Sequence, residues 1–144
     1  MNIPSVHRPS SADRAFVRDF EACAVAPADF DHAAHIRLAY VYLCEMPADR
    51  AVARVREVLQ AYLAHLGMGE GKYHETLTRA WVLAVRHFMA RSVPCDSAAA
   101  FIEASPRLLD TGILLTHYTA ERLFSPDARA AFVDPDLQPI PMYA

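Results

Sequence analysis

The spacing of apolar residues is the feature of this sequence that most limits its fold. They recur every three or four residues in one stretch after another, and a proline or glycine ends most of these runs. Such spacing places them on one face of an α-helix, whereas a half-buried strand needs an alternation of apolar and polar residues that this sequence lacks. A length of 144 residues suits one domain. The sequence therefore predicts an all-α, single-domain bundle of four to five main helices.

Breaker and capping residues set the limits of the predicted helices. Their ranges are 11–24, 31–45, 48–66, 74–91, 97–104, 106–118 and 126–132. Residues 1–9 form an arm, and residues 134–144 form a Pro-rich tail. We expect this tail to pack in an extended form on the bundle or on a second copy, held by side-chain contacts of Leu137, Ile140 and Met142. Gly67 is placed for a left-handed turn after the third helix. Glu75 and Arg79 are expected to pair on the outer face of the fourth.

Charge and composition narrow the choice of partners and compartment. The net charge is −3 and the basic residues are scattered, so we expect no nucleic-acid partner. No apolar run approaches the roughly 18 residues of a membrane span, and no apolar leader is present, so we expect no membrane association. Cys23, Cys44 and Cys95 lack the spacing of a metal or disulfide motif. These features predict a cytoplasmic protein with reduced thiols.

Three histidines fall on inward faces near the starts of two predicted helices. His32 and His35 lie in the first turns of the second helix, and His74 lies in the first turn of the fourth. Short connections make consecutive helices antiparallel, so the second and fourth helices begin at the same end of the bundle. Helix starts also disfavour a charged imidazolium. The sequence therefore predicts a polar pocket at one end of the bundle, lined by neutral histidines.

One hypothesis for this pocket is a metal centre. Helical bundles build metal sites from inward side chains on facing helices. His32, His35 and His74 would supply three imidazoles and leave one position open, which suits a divalent ion such as Zn²⁺ or Fe²⁺.

A second hypothesis is a metal-free pocket for a small molecule that is anionic or bears a carbonyl group. The predicted set consists of His32 and His74 as the acid–base groups, Arg37, Tyr73 and Thr78 as hydrogen-bond donors, and Tyr40 and Trp81 as the wall.

A third hypothesis gives the histidines a purely structural role. The protein would then be an interaction module that docks through its tail, for example in a homodimer. The leading interpretation is a small His-dependent enzyme, with or without a metal ion. The alternative is a non-catalytic module that binds a ligand or a protein.

Three motifs also occur together in this chain. They are Phe30-x-His32-x-x-His35-x-Arg37, Tyr73-His74-x-Thr76-x-Thr78 and Pro135-Asp136-Leu137-x-Pro139-x-Pro141. From about Phe20 onward the chain thereby resembles a family of small, uncharacterised bacterial all-helical proteins. The family has no established activity, so the resemblance implies only that these stretches form one unit. At the level of fold the chain is also similar to small bundles that hold one metal with three histidines. Those bundles usually use H-x-x-x-H, whereas this chain has H-x-x-H.

Overall fold

The computed structural model describes residues 7–68 and 72–140, and within them all regular structure is helical. The α-helices are α1 (Ser11–Glu21), α2 (His32–Glu45), α3 (Ala48–His65), α4 (Glu75–Arg91), α5 (Ala98–Ala104), α6 (Ala120–Leu123) and α7 (Pro126–Ala130). This confirms the predicted all-α bundle with its limits close to those expected for the long helices. None of the helices in these two ranges is long and apolar enough to cross a membrane.

Helix α2 is the centre of the bundle. It contacts α1, α3, α4 and α5, and nearly every side chain from Ile36 to Leu43 is buried. A helix that is apolar all round is typical of a core surrounded on all sides. Helical spacing alone predicts only a narrow buried arc of Ile36, Ala39 and Leu43, and the wider burial follows from the four neighbouring helices that enclose α2.

A second, smaller core lies on the other side of α4. It consists of Ala80, Leu83, Leu114, Tyr118, Leu123 and Ile140, all buried. The C-terminal segments supply four of these six residues, so that part of the chain covers a face of α4 that the first three helices leave open. This arrangement brings carbonyl groups of the C-terminal third next to the start of α4.

The predicted helix over 106–118 is wrong. Two 3₁₀ turns occupy this stretch instead, Pro106–Leu109 and Thr111–Thr116. Asp110 separates them, because its backbone is extended and its side chain accepts a hydrogen bond from the Gly112 N–H at 2.9 Å. A local bond of this kind competes with the α-helical pattern.

Two helix ends show the expected local chemistry. Ser10 and Asp13 form a complete capping box at the start of α1, at 3.0 and 2.9 Å. Gly67 has a φ of 73° after α3, as predicted. Helix α1 ends at Glu21, earlier than predicted, because Cys23 adopts a left-handed conformation with a φ of 57° and turns the chain.

Both terminal segments are tied to the bundle. The His7 side chain is buried, and its Nε2 donates to the Met89 carbonyl at 2.8 Å. In the tail, Leu137 N–H donates to the His117 carbonyl at 2.9 Å and Ile140 is buried, so the described part of the tail packs on its own chain. Leu137 was expected to be buried as well, but it is 51% exposed. Residues 1–6 and 141–144, with Met142 and the rest of the predicted arm and tail, lie outside the described ranges.

Candidate functional site

A cavity of about 430 Å³ opens where α2 and α4 begin, against one side of α3. Six residues predicted from the sequence line it: His32, His35, Tyr73, His74, Thr78 and Trp81. The remaining lining is largely apolar, namely Phe30, Ala39, Val55, Leu59, Tyr62, Leu63, Leu77 and Val82, with Asp31 and Lys72 beside them. The up-and-down order of the helices thus brings the three histidines to one cavity, as predicted.

His32 is held in one orientation inside the cavity wall. Its Nε2 lies 2.8 Å from the Leu108 carbonyl oxygen, which can only accept, so the ring proton sits on Nε2. Its ring also meets the Trp81 ring edge to face, with 4.6 Å between centroids. In the neutral ring the Nδ1 lone pair is left, and Nδ1 has no hydrogen-bond partner among the described residues. His32 can therefore accept a hydrogen bond, or a proton, from a bound molecule.

His35 occupies the mouth of the cavity. Its Nδ1 donates to the Asp31 carbonyl at 2.9 Å, and its ring packs against the Phe30 ring at a tilt of 32°, with 4.0 Å between centroids. Desolvation by burial lowers the pKa of His35. The neutral form, with a lone pair on Nε2, therefore predominates at pH 7.

Both ring nitrogens of His74 make hydrogen bonds within the protein, and the catalytic and metal-binding roles predicted for it stay predictions. It is the N-cap of α4, where its Nδ1 accepts the Leu77 N–H at 3.1 Å. Its Nε2 donates to the Leu123 carbonyl at 2.9 Å, and burial lowers its pKa. Both ring nitrogens are occupied, so His74 can neither ligate a metal nor transfer a proton without breaking a buried hydrogen bond.

Tyr73 and Thr78 also point their hydroxyl protons at protein acceptors. The Tyr73 hydroxyl donates to the Glu75 carboxylate at 2.7 Å, and burial raises the pKa of Tyr73 to about 12. Glu75 in turn accepts two bonds from Arg56, at 2.7 and 2.6 Å. The predicted pair of Glu75 with Arg79 is therefore replaced by a pair with Arg56. The Thr78 hydroxyl donates to the His74 carbonyl at 2.9 Å. Tyr73 and Thr78 therefore form part of the cavity wall, and their hydroxyl groups are not free to donate to a ligand.

Two residues predicted for the pocket lie elsewhere. Arg37 Nε donates to Asp13 at 2.8 Å and its guanidinium lies over the Phe16 ring. Tyr40 is fully buried and its hydroxyl donates to the carbonyls of Arg8 and Cys95. At about 100° per residue, positions 37 and 40 point roughly 140° and 80° away from His32 on the same helix, which carries them to other faces.

The described residues do not assemble the predicted metal centre. Nowhere in residues 7–68 and 72–140 do three side chains of His, Cys, Asp or Glu stand where they could hold one ion. With His74 committed to capping, His32 and His35 offer two nitrogens, fewer than the three protein ligands of a catalytic zinc site. Metal binding by this pair stays a prediction.

Lys72 is a charged lining residue that was not predicted from the sequence. It is exposed beside the cavity, immediately before Tyr73. The sequence does set this residue apart, because it is the only lysine among the 14 basic residues of the chain.

Comparison with known proteins identifies no relative: no family model matches this chain, and no curated protein or solved structure shows significant similarity to it. The resemblance to small bacterial helical proteins therefore stays a prediction.

Proposed function

We propose that this protein binds a small, largely apolar molecule in the cavity and accepts a hydrogen bond from it at His32. The observation that carries the proposal is the pairing of an apolar cavity with an imidazole whose orientation is fixed and whose Nδ1 has no described partner. Ligand pockets typically combine an apolar wall with a few placed polar groups, and their volumes are about 300–1,000 Å³.

The cavity wall favours an apolar ligand, because most of its surface is apolar and its hydroxyl groups are not free to bond a ligand. The Trp81 ring, the Leu59 side chain and Val82 contribute apolar surface, while the hydroxyl groups of Tyr73 and Thr78 are already bonded to protein. Each square ångström of apolar ligand surface removed from water contributes about 25 cal/mol. The His32 acceptor then selects molecules that carry a donor.

Naphthol and naphthalene form a matched pair of probes, because they differ by one hydroxyl group. We expect both probes to bind saturably and naphthol to bind more tightly. Chemical-shift changes of the Trp81 indole N–H measure the binding. His32→Phe should reduce the ratio of naphthol to naphthalene affinity by about 2–10-fold, the value of one net hydrogen bond. His65→Phe is the matched control, because His65 is exposed on α3 and does not line the cavity.

Absence of saturable binding by either probe would contradict the proposal. So would an unchanged affinity ratio in a His32→Phe variant that still unfolds cooperatively. The ratio is the chosen readout because loss of the Leu108 contact lowers stability and affects both probes equally.

General-base catalysis is a second candidate function, favoured by the same contact between His32 and Leu108. A carbonyl that accepts the Nε2 proton holds the ring in one tautomer and leaves Nδ1 as the base, which is how a base is oriented in many active sites. Hydrolysis of naphthyl acetate tests this role, with His32 activating a water molecule. The expected result is a rate above that of His32→Phe and equal to that of His65→Phe. Equal rates in wild type and His32→Phe would remove the candidate.

The metal prediction has its own test, independent of these probes. Metal analysis of protein purified without a histidine tag, together with melting in the presence and absence of a chelator, measures any ion held by His32 and His35. Stoichiometric zinc or iron that is lost in His35→Phe would support a metal-dependent enzyme. An unchanged melting temperature and no bound ion would leave the metal-free pocket.

A further inference from the structure

Lys72 places a positive charge at the mouth of the cavity. Its side chain is exposed, and within residues 7–68 and 72–140 no carboxylate lies within 4.0 Å of its ammonium group. It lines the same cavity as His32 and the apolar wall. An ammonium group that borders an apolar cavity is suited to a ligand that is anionic at one end and apolar at the other.

The two described carboxylates near the cavity, Glu75 and Asp31, already accept hydrogen bonds from the protein. Glu75 is neutralised by the two bonds from Arg56, at 2.7 and 2.6 Å. The Asp31 carboxylate accepts the Ala34 N–H at 2.9 Å at the amino end of α2, where the helix dipole offsets its charge. Among the described residues that line the cavity, Lys72 is therefore the cation available to pair with an anionic ligand.

We propose that the ligand is an amphipathic carboxylate whose carboxylate group pairs with Lys72 while its apolar frame enters the cavity and a hydroxyl group donates to His32. This inference rests on the proposed function and names the class of molecule that the cavity takes. The carboxylate stays at the solvated mouth, so its binding avoids the cost of burying an ion. The apolar part of the ligand contributes most of the binding free energy, and the ion pair with Lys72 produces the preference for an anion.

The test compares a hydroxynaphthoate with its neutral counterpart, in which a hydroxymethyl group replaces the carboxylate. The wild-type protein should bind the carboxylate about fivefold more tightly than the alcohol, as expected for one ion pair near the surface. Lys72→Met should abolish that preference and Lys72→Arg should retain it. Arg50→Met is the matched control, because it removes an exposed positive charge that does not line the cavity.

Two further readouts separate an ion pair at Lys72 from a general charge effect. The preference for the carboxylate should fall as salt is raised from about 0.01 M to 1 M, because the Debye length falls from about 30 Å to 3 Å. Reductive methylation with labelled formaldehyde gives one lysine signal in this chain, because Lys72 is its only lysine. That signal should shift with the hydroxynaphthoate and stay unchanged with the alcohol.

The outcomes distinguish the two proposals. Binding of both probes without a preference for the carboxylate, or with a preference that survives Lys72→Met, overturns the role of Lys72 and leaves the apolar pocket standing. Failure of both probes to bind overturns the proposed function itself.

Discussion

Asp13 shows how much one side chain contributes to this fold. Its carboxylate accepts the Ser10 N–H at 2.9 Å, the Ala98 N–H at 2.8 Å and Arg37 Nε at 2.8 Å, so it joins α1, α2 and α5. Burial by itself raises the pKa of Asp13, but the bonds from Ala98, Ser10 and Arg37 outweigh it and the net pKa is lowered. The folded state therefore favours the charged carboxylate, and its contribution is lost as pH falls below the usual value of 3.8.

We predict that Asp13→Ala lowers the free energy of unfolding by about 3–5 kcal/mol, because it leaves Arg37 and two N–H groups without their acceptor. Urea unfolding at pH 7 measures the change. Glu57→Ala is the matched control: Glu57 pairs with Arg54 in an exposed ion pair, and its loss should cost less than about 1 kcal/mol. Equal losses in the two variants would show that Asp13 does not join these helices.

The tautomers of the histidines give a second prediction at the scale of the residue. Carbonyl partners place the proton on Nε2 of His7, His32 and His74, and on Nδ1 of His35 and His117. Long-range nitrogen–proton correlation spectra at pH 7.5 distinguish the two forms, and the His32→Phe variant assigns one signal. An Nδ1–H tautomer at His74 would be incompatible with its role as the cap of α4.

The sequence could predict which histidines meet, but it could not predict what each ring nitrogen does. Helix order and spacing were enough to bring His32, His35 and His74 to one cavity. The carbonyls that bind His32 and His74 belong to Leu108 and Leu123, far along the chain. Their placement depends on the irregular C-terminal third, for which the sequence offers no periodic pattern.

At the scale of the element, the start of α4 should make stability depend on pH. Burial lowers the pKa of His74, so the unfolded state binds a proton more readily near pH 6.5. The stabilisation is complete above the unfolded value of 6.5 and is lost as pH falls through the lower folded value. We therefore predict that the free energy of unfolding decreases between pH 7 and pH 5.

His74→Asn tests this, because asparagine is a good N-cap that does not titrate. The variant should be less stable at pH 7, since the bond to Leu123 is lost, but its stability should change less with pH. Urea unfolding at pH 5, 6 and 7 measures the slope, and His65→Asn is the control on an exposed histidine. A slope equal to that of the wild type would assign the pH dependence to other groups.

The end of α3 gives a clean test of backbone conformation. Gly67 has a φ of 73°, and a Cβ added there would meet no atom within 4 Å. Gly67→Ala should therefore cost about 1–2 kcal/mol through backbone strain alone. Gly67→Asn should cost less, because asparagine tolerates the left-handed region. If both variants unfold at the same urea concentration as the wild type, the strain argument fails.

The long helices were predictable, and so were two short ones: ranges 97–104 and 126–132 correspond to Ala98–Ala104 and Pro126–Ala130, whereas Ala120–Leu123 was not predicted. Ranges 31–45 and 74–91 correspond to helices His32–Glu45 and Glu75–Arg91, because their apolar stripes run over several turns. The predicted helix at 106–118 has only a few turns, and the local bond between Asp110 and Gly112 was enough to divide it. Tertiary partners likewise decided the pairing of Glu75, which reaches Arg56 on the neighbouring helix α3.

At the scale of the whole molecule, the C-terminal third completes both the core and the site. It covers the outer face of α4 with Leu114, Tyr118 and Ile140, and it provides the carbonyls that fix His32 and His74. The tail is attached through hydrogen bonds as well as side-chain burial, since the Asp136 carboxylate accepts both the N–H and the hydroxyl of Thr119. Side-chain contacts alone were predicted to hold the tail.

The tail offers two leucine-sized side chains with opposite environments, and these give the last prediction. Ile140 is 7% exposed in the second core, whereas Leu137 is 51% exposed. Ile140→Ala should cost about 2–3 kcal/mol, because burial of the side chain is lost and the site is at the edge of the core. Leu137→Ala should change the free energy of unfolding by less than about 0.5 kcal/mol.

Deleting residues 134–144 extends the same comparison to the assembly. Because the described tail packs on its own chain, deletion should lower the melting temperature by roughly 5–10 °C while the mass in solution stays unchanged. The affinity for naphthol should also fall, since the tail is bonded to His117 and Thr119, which lie in the chain between the Leu108 and Leu123 carbonyls that hold His32 and His74. Light scattering that shows a dimer reduced to a monomer would instead assign the tail to an interface between two copies. A loss of stability equal in Ile140→Ala and Leu137→Ala would contradict the packing of the tail described here.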